Sequence, residues 1–399
     1  MERCHVLSTI AYKQHLDAFL RFVPEQPDST YIQILQKSID LHRYDYSPYE
    51  FYEQSKKLVQ IIEKSIYSYD NYANALITTA DAAERCGYYK EQLDYAQKAE
   101  SIAYRVDEGL SINCILCYGE ALIKNNDYKN ALAVLEPLSE LLRKRGIVND
   151  LALSRSLSLL GLVWYSLNRN RDDLKRAKRC HIEALDKYLD YQKAIQYKDS
   201  RDSYIIEKRA NSDNLQISII YSNLAAVLKE LGDFWEAKNF LEKAISSAEA
   251  NFGQDHPITA VSYSNLATVL QDLGDYAGAK ALLEKAMRSD EANFGQDHPT
   301  TARSYSNLAL VLKDLGDYAG AKALLEKAMR SNEANFGQDH PTTAVSYHNL
   351  ADVLIKLEQY ADALLLERKA YGVLLDAFGD NHPYTRGSMQ VIDYLESAI

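Results

Sequence analysis

Between Ser262 and Asp275 the chain reads SYSNLATVLQDLGD, and its apolar positions Tyr263, Leu266, Ala267, Leu270 and Leu273 fall three and four residues apart. That spacing gathers them on one stripe of an α-helix. Gly274 and Asp275 supply a break, because glycine ends a helix at little cost in a left-handed turn. The following YAGAKALLEKAMRSDEANF sets Ala279, Leu282, Leu283, Ala286 and Met287 on a second stripe, so the pattern predicts two helices joined by a tight turn. The pair recurs every 42 residues: Asn223, Asn265, Asn307 and Asn349 mark one position of it, and His256, His298, His340 and His382 another. A fixed period of this size predicts stacked supersecondary units, since one helix pair cannot bury its apolar faces alone.

A connector links successive pairs. NFGQDHPTTA runs from Asn293 to Ala302 and again from Asn335 to Ala344, with NFGQDHPITA at Asn251 and AFGDNHPYTR at Ala377. Gly295 is expected to end a second helix, Asp297 or His298 to cap the next, and Pro299 to occupy its first turn, where proline sacrifices no helical hydrogen bond. Each copy also sets Asp or Asn beside His, a pairing able to bind metal or move protons. One pair supplies only two ligands, whereas structural zinc takes four and catalytic zinc three. The connectors are therefore read as architecture, and no metal or other cofactor is expected.

The set Tyr263, Leu266, Ala267, Leu270, Gly274, Tyr276, Ala279, Leu283 and Ala286 resembles the tetratricopeptide repeat signature, and the 42-residue length with its G-x-D-H-P connector is similar to kinesin-light-chain-type repeats. The match is strong from Ile217 to about Pro383. Upstream it is weaker, carried by Gly87, Tyr89 and Ala99, by Gly119, Tyr128, Ala131 and Leu138, and by Gly161, Ala177 and Ala184, the last unit reading as stretched between its helices at 168–173. The resemblance implies an all-α fold, a right-handed α-solenoid of about seven helix-turn-helix units with a concave groove lined by the first helices. The expected organisation is an N-terminal helical cap at 1–45, divergent units at 46–185, a long helix and linker at 186–214, four regular units at 215–382, and a capping helix at 383–399, as repeat arrays need a polar end.

Units 261–302 and 303–344 differ at four positions: Val261/Arg303, Thr268/Leu310, Gln271/Lys313 and Asp290/Asn332. The first three share one helix face that is not the apolar stripe. In the family this is the groove face, so near-identical units have diverged mainly where a ligand would lie. The next unit continues the change with His348, Asp352, Ile355 and Lys356. The asparagine ladder stays constant while its neighbours vary. Asparagine offers donors and an acceptor, so a row of them can hold a peptide backbone whatever its sequence; the resemblance implies that role for Asn223, Asn265, Asn307 and Asn349. The alternative is a hydrogen bond from helix to helix between units. Under the first reading Arg303, Lys313 and Lys229 would take acidic groups, and Leu310 and Ile355 apolar ones, a backbone grip joined to side-chain reading.

Composition narrows the class further. A net charge of -11 over 399 residues argues against a nucleic-acid or anionic-membrane surface, although residues 141–210 hold 16 Lys/Arg against 9 Asp/Glu, concentrated in RDDLKRAKR. That segment is read as a solvated helix face, with an acidic partner or RNA as the alternatives. No segment suggests a signal peptide or membrane span, and a cytoplasmic location is the default. Five cysteines, an odd number, do not suggest a disulfide framework; Cys114 and Cys117 have redox spacing but lie in an expected helix and read as buried small residues. No phosphate loop, H-E-x-x-H or nucleophile elbow is present, so no enzyme is expected. The function indicated is an adaptor binding a protein segment or peptide, the alternatives being a peptide-sensing receptor or a regulatory subunit of a bacterial protease or defence complex.

Overall fold

A computed structural model of the chain describes residues 48–63, 68–145, 150–168, 170–196 and 203–398. Its regular elements, among these residues, are sixteen α-helices and one short 3-10 turn. The expected N-terminal cap at 1–45 lies outside the described residues. The chain divides into two compact units, Met1–Lys198 and Asp199–Ile399.

Unit 1 contains α1 (Pro48–Glu63), α2 (Tyr69–Arg85), α3 (Tyr89–Ser101), α4 (Glu108–Lys124), α5 (Tyr128–Arg145), α6 (Asp150–Leu167) and α7 (Arg171–Gln196). Each helix packs on the next, and α2, α4 and α6 also touch in order. The apolar core built on Phe51, Leu58, Leu76, Ala83 and Ala99 follows the helical spacing of these residues. The expected stretching at 168–173 is absent. Arg171–Asp173 already belong to α7, because the Asn170 side chain accepts hydrogen bonds from the backbone N–H groups of Asp172 (2.9 Å) and Asp173 (3.1 Å) and caps the helix.

Unit 2 contains α8 (Ser203–Leu231), α9 (Phe234–Phe252), α10 (Pro257–Asp272), α11 (Tyr276–Phe294), α12 (Pro299–Asp314), α13 (Tyr318–Phe336), α14 (Pro341–Lys356), α15 (Tyr360–Phe378) and α16 (Pro383–Ala398). The four regular helix pairs are α8/α9 through α14/α15, and α16 closes the last. Segment 186–214 is occupied by the end of α7, the undescribed 197–202, and the start of α8. One continuous core runs through the pairs, from Leu224 and Leu228 past Leu266, Leu283, Leu308 and Leu325 to Leu350, Leu354 and Leu395. Ala267, Ala279, Ala309, Ala321, Ala351 and Ala363 are wholly buried within this core.

The first helices α8, α10, α12 and α14 touch one another in order, whereas the neighbours of each second helix are chiefly the first helices on either side. A stack whose first helices contact directly is tighter on that side, which makes the first-helix layer the inner face of unit 2. The turn inside each pair needs a left-handed residue: Gly274 has φ 82° and Gly316 φ 83°, while the last pair places Glu358 there at φ 60°.

The connectors behave as architecture. His256, His298 and His340 cap α10, α12 and α14, each Nδ1 accepting from the N–H two residues on at 3.2, 3.1 and 3.1 Å. Histidine rather than the neighbouring aspartate is the cap, because its ring also stacks on Phe252, Phe294 or Phe336, with centroids 4.9, 4.9 and 5.0 Å apart. Thr259, Thr301 and Thr343 donate to the carbonyls of Gly253, Gly295 and Gly337 at 2.8, 2.7 and 2.8 Å, closing the bend.

Candidate functional site

The variable positions of the four regular units lie on the inner layer. Val261, Thr268 and Arg303 are exposed, and Gln271, Leu310, Lys313, His348, Asp352 and Ile355 are half-buried. The fourth variable position is of another kind. Asp290 and Asn332 are buried on second helices at a joint between units, where Ser304 Oγ donates to Asp290 Oδ2 at 2.5 Å and Asn332 Nδ2 donates to Ser346 Oγ at 2.8 Å. Burial pushes the Asp290 carboxyl up, against the pull of the Ser304 hydrogen bond.

Asn265, Asn307 and Asn349 stand one per helix on α10, α12 and α14, half-buried, and none of the three makes a side-chain hydrogen bond among the described residues. Asn223 on α8 goes further, its Nδ2 lying buried without any partner among the described residues. A buried donor left unpaired costs roughly 1–3 kcal/mol.

The charged positions around this row are not equivalent. Lys229 reaches Asp272 across the joint between α8 and α10 at 3.7 Å, and Lys313 reaches Asp352 across the joint between α12 and α14 at 2.7 Å. Arg303 makes no ion pair among the described residues and stands between the exposed Val261 and Val345 at the same offset. Thr268 turns back to donate to the Ser264 carbonyl at 3.1 Å, and Ile355 packs on the continuous core.

His348 carries a connection that the linear pattern does not announce. Its Nδ1 lies 2.9 and 3.1 Å from the two carboxylate oxygens of Glu367 on α15, a residue with no exposed surface. Ser388 Oγ on α16 donates to the same carboxylate at 2.5 Å. Hydrogen bonding to Glu367 holds the His348 pKa above its ordinary value, against desolvation, with Asp352 and Lys313 the other charges acting on it. Glu367 stands where the preceding units have Leu241, Leu283 and Leu325. A carboxylate at a core leucine position of the 42-residue frame is the signal that could have found it.

Unit 1 presents a different face at corresponding offsets. Lys124 pairs with Glu84 at 2.8 Å and Gln92 Nε2 donates to Glu84 at 3.0 Å. Burial, followed by the nearby Glu84, raises the Glu120 carboxyl. Cys114 is buried, and burial pushes its thiol up to about 11. Among the described residues no cluster of His, Cys, Asp or Glu could hold a metal ion, and no helix is long and apolar enough to cross a membrane.

Residues 216–292, 258–334 and 300–376 each match the tetratricopeptide repeat family model. Among solved structures the chain resembles a signal transduction ATPase with numerous domains, carrying a tetratricopeptide repeat sensor, from Pyrococcus horikoshii: identity is 14%, the TM-score 0.59, and the match covers 98% of this chain and 54% of that one. A Rap protein complexed with competence and sporulation factor matches at 14% identity and TM-score 0.54 over 93% of this chain and 100% of that one. BtubC from P. vanneervenii matches at 20% identity and TM-score 0.50 over 64% and 94%. No curated protein sequence matches the chain significantly.

Proposed function

Since residues 216–376 are an array of tetratricopeptide repeats, we propose that the first-helix face of unit 2 binds a protein segment or extended peptide, and that the chain is a non-catalytic adaptor. The observation that carries this reading is the asparagine row. Four amides recur at one offset, and among the described residues three of them are half-buried without a side-chain partner and the fourth has a buried, unsatisfied donor. A peptide backbone laid along the face would present the carbonyls and N–H groups that such amides need. With Lys229 and Lys313 neutralised across the joints, Arg303 and Lys356 are the first-helix cations that make no ion pair among the described residues and are left to read acidic side chains.

A second reading is favoured by the His348–Glu367–Ser388 connection, which runs from the binding face through a buried carboxylate to the last helix. A ligand engaging His348 would change the hold on α16, as a regulatory receptor requires; the Rap protein, similar in fold, was solved with a bound factor. Scattering profiles with and without ligand separate the two, compaction favouring the receptor.

The test is capture from native lysate with the wild-type chain and with Asn265→Ala/Asn307→Ala, after circular dichroism has established that the variant is folded. A partner held by the wild type and lost by the variant supports the groove. Equal retention of every partner by both proteins removes it.

A further inference from the structure

A second ladder runs along the connector edge of unit 2, away from the asparagine row, and it stops one rung early. Ser289 Oγ and Asn293 Nδ2 on α11 both donate to the Asp255 carbonyl of the preceding connector, each at 2.8 Å. Ser331 Oγ and Asn335 Nδ2 on α13 repeat this with the Asp297 carbonyl at 2.9 and 2.7 Å. At the next step Val373 and Ala377 on α15 stand in the places of the serine and the asparagine. The Asp339 carbonyl therefore loses both donors, and no other group donates to it among the described residues.

The same step loses bulk. Gly372 stands where Arg288 and Arg330 stand before it, and a Cβ placed there would meet nothing within 4 Å. Beside this step lies a cavity of about 400 Å³, open to solvent on one side and lined by Gln338, Asp339, Tyr347, Lys369, Gly372 and Asp376 among others. That volume lies within the range of small-ligand pockets and exceeds the room one bridging water needs. Arg368 at its wall is held by Glu396 of α16 at 2.6 Å, and Lys369 lies over the Tyr347 ring, 5.7 Å from its centroid.

We propose that this cavity receives a carboxamide side chain, asparagine or glutamine, from a partner protein, supplying the missing rung from outside. The chain itself shows the occupant, since an asparagine amide donates to the equivalent carbonyl in both preceding steps. A primary amide also suits the rest of the lining: its two N–H groups face the Asp339 carbonyl and the acceptors of Asp339 and Asp376, while its oxygen faces the donors of Lys369 and Gln338. A carboxylate would bring no donor to the carbonyl, and an alkyl side chain would leave it unpaired. The site is built by the 338–340 connector, α14 and α15 and does not depend on the groove reading.

The experiment is a titration of the isotope-labelled full chain with N-acetyl-asparaginamide, with N-acetyl-alaninamide as control, following the backbone amides of Gln338, Gly372 and Val373 by nuclear magnetic resonance. Saturable shifts are expected at these amides with millimolar affinity, as befits so small a probe, and at least roughly tenfold weaker with the alanine compound. Val373→Ser/Ala377→Asn rebuilds the internal rung and should abolish the response. Gly372→Arg, which restores the residue of the preceding units, should do the same without altering the buried side of α15. Absence of saturable shifts up to about 50 mM probe, or an undiminished response in either folded variant, overturns the proposal.

Discussion

Single residues explain both the regularity of unit 2 and its exceptions. His256, His298 and His340 looked like chemistry and prove to be caps, because each Nδ1 accepts from the backbone N–H two residues on and each ring stacks on a phenylalanine. That outcome was legible in the Gly-x-Asp-His-Pro order, although the choice of histidine over aspartate as cap needed the ring stacking. Glu358 is the clearest exception. It holds φ 60° at the turn where Gly274 and Gly316 sit, a conformation that costs a side-chain-bearing residue about 1–2 kcal/mol. Glu358→Gly is expected to stabilise unit 2 by roughly 0.5–1 kcal/mol, the relief of strain being partly offset by the greater freedom of glycine in the unfolded chain. Denaturant melts of the two proteins measure it, and a lower midpoint for the variant would contradict the strain argument.

At the scale of elements, α16 is fastened by a buried carboxylate as well as by apolar packing. Glu367 accepts from Ser388 and pairs with His348, so removing one partner leaves the charge poorly compensated. His348→Ser, the residue of Ser264 and Ser306 at that offset, should cost roughly 2 kcal/mol, less than the 3–5 of a fully buried pair because the His348 side chain is 42% exposed. Adding Glu367→Leu, the residue of Leu283 and Leu325, should restore at least wild-type stability, since apolar replacement of a buried pair is commonly neutral or favourable. Hydrogen exchange on α16 reports the same change locally; equal protection in the wild type and His348→Ser would show that the pair does not hold the helix. Element existence was readable from the 3.6-residue period, and the odd Glu367 from the 42-residue frame. Its partners were not, because His348 and Ser388 come from two other helices and meet only when the three pack.

At the scale of the whole molecule, one histidine in each unit should contribute a pH dependence of opposite direction. His181 in unit 1 is wholly buried, packed so closely on Gly161 that a Cβ there would lie 2.5 Å from the ring, and neither ring nitrogen has a partner among the described residues. Burial lowers its pKa from 6.5 to about 4. The unfolded chain therefore binds that proton more readily, and the stability of the neutral folded form is complete above about pH 6.5 and lost toward pH 4, roughly 3 kcal/mol in all. His348 in unit 2 has a raised folded pKa, so its contribution is full below the unfolded value and lost as pH rises through the folded one. Calorimetry of the full chain should show the wild type losing more stability on acidification than His181→Leu, and more toward alkali than the His348→Ser/Glu367→Leu pair. An equal loss in either variant would assign that dependence elsewhere. The sequence by itself determined the helices of the described residues, their turns and the repeat, because these follow from contacts three or four residues apart and from one period copied along the chain; which helix face a ligand would meet came from the resemblance alone. Tertiary structure alone decided which lysines are spent on a neighbouring unit, that Asp290 is buried, that the connectors are laced from carbonyl to amide and serine hydroxyl 38 and 34 residues on, and where that lacing ends. Each of these depends on how far one unit is displaced and turned against the next, a quantity set by the packing of buried side chains and written in no local pattern.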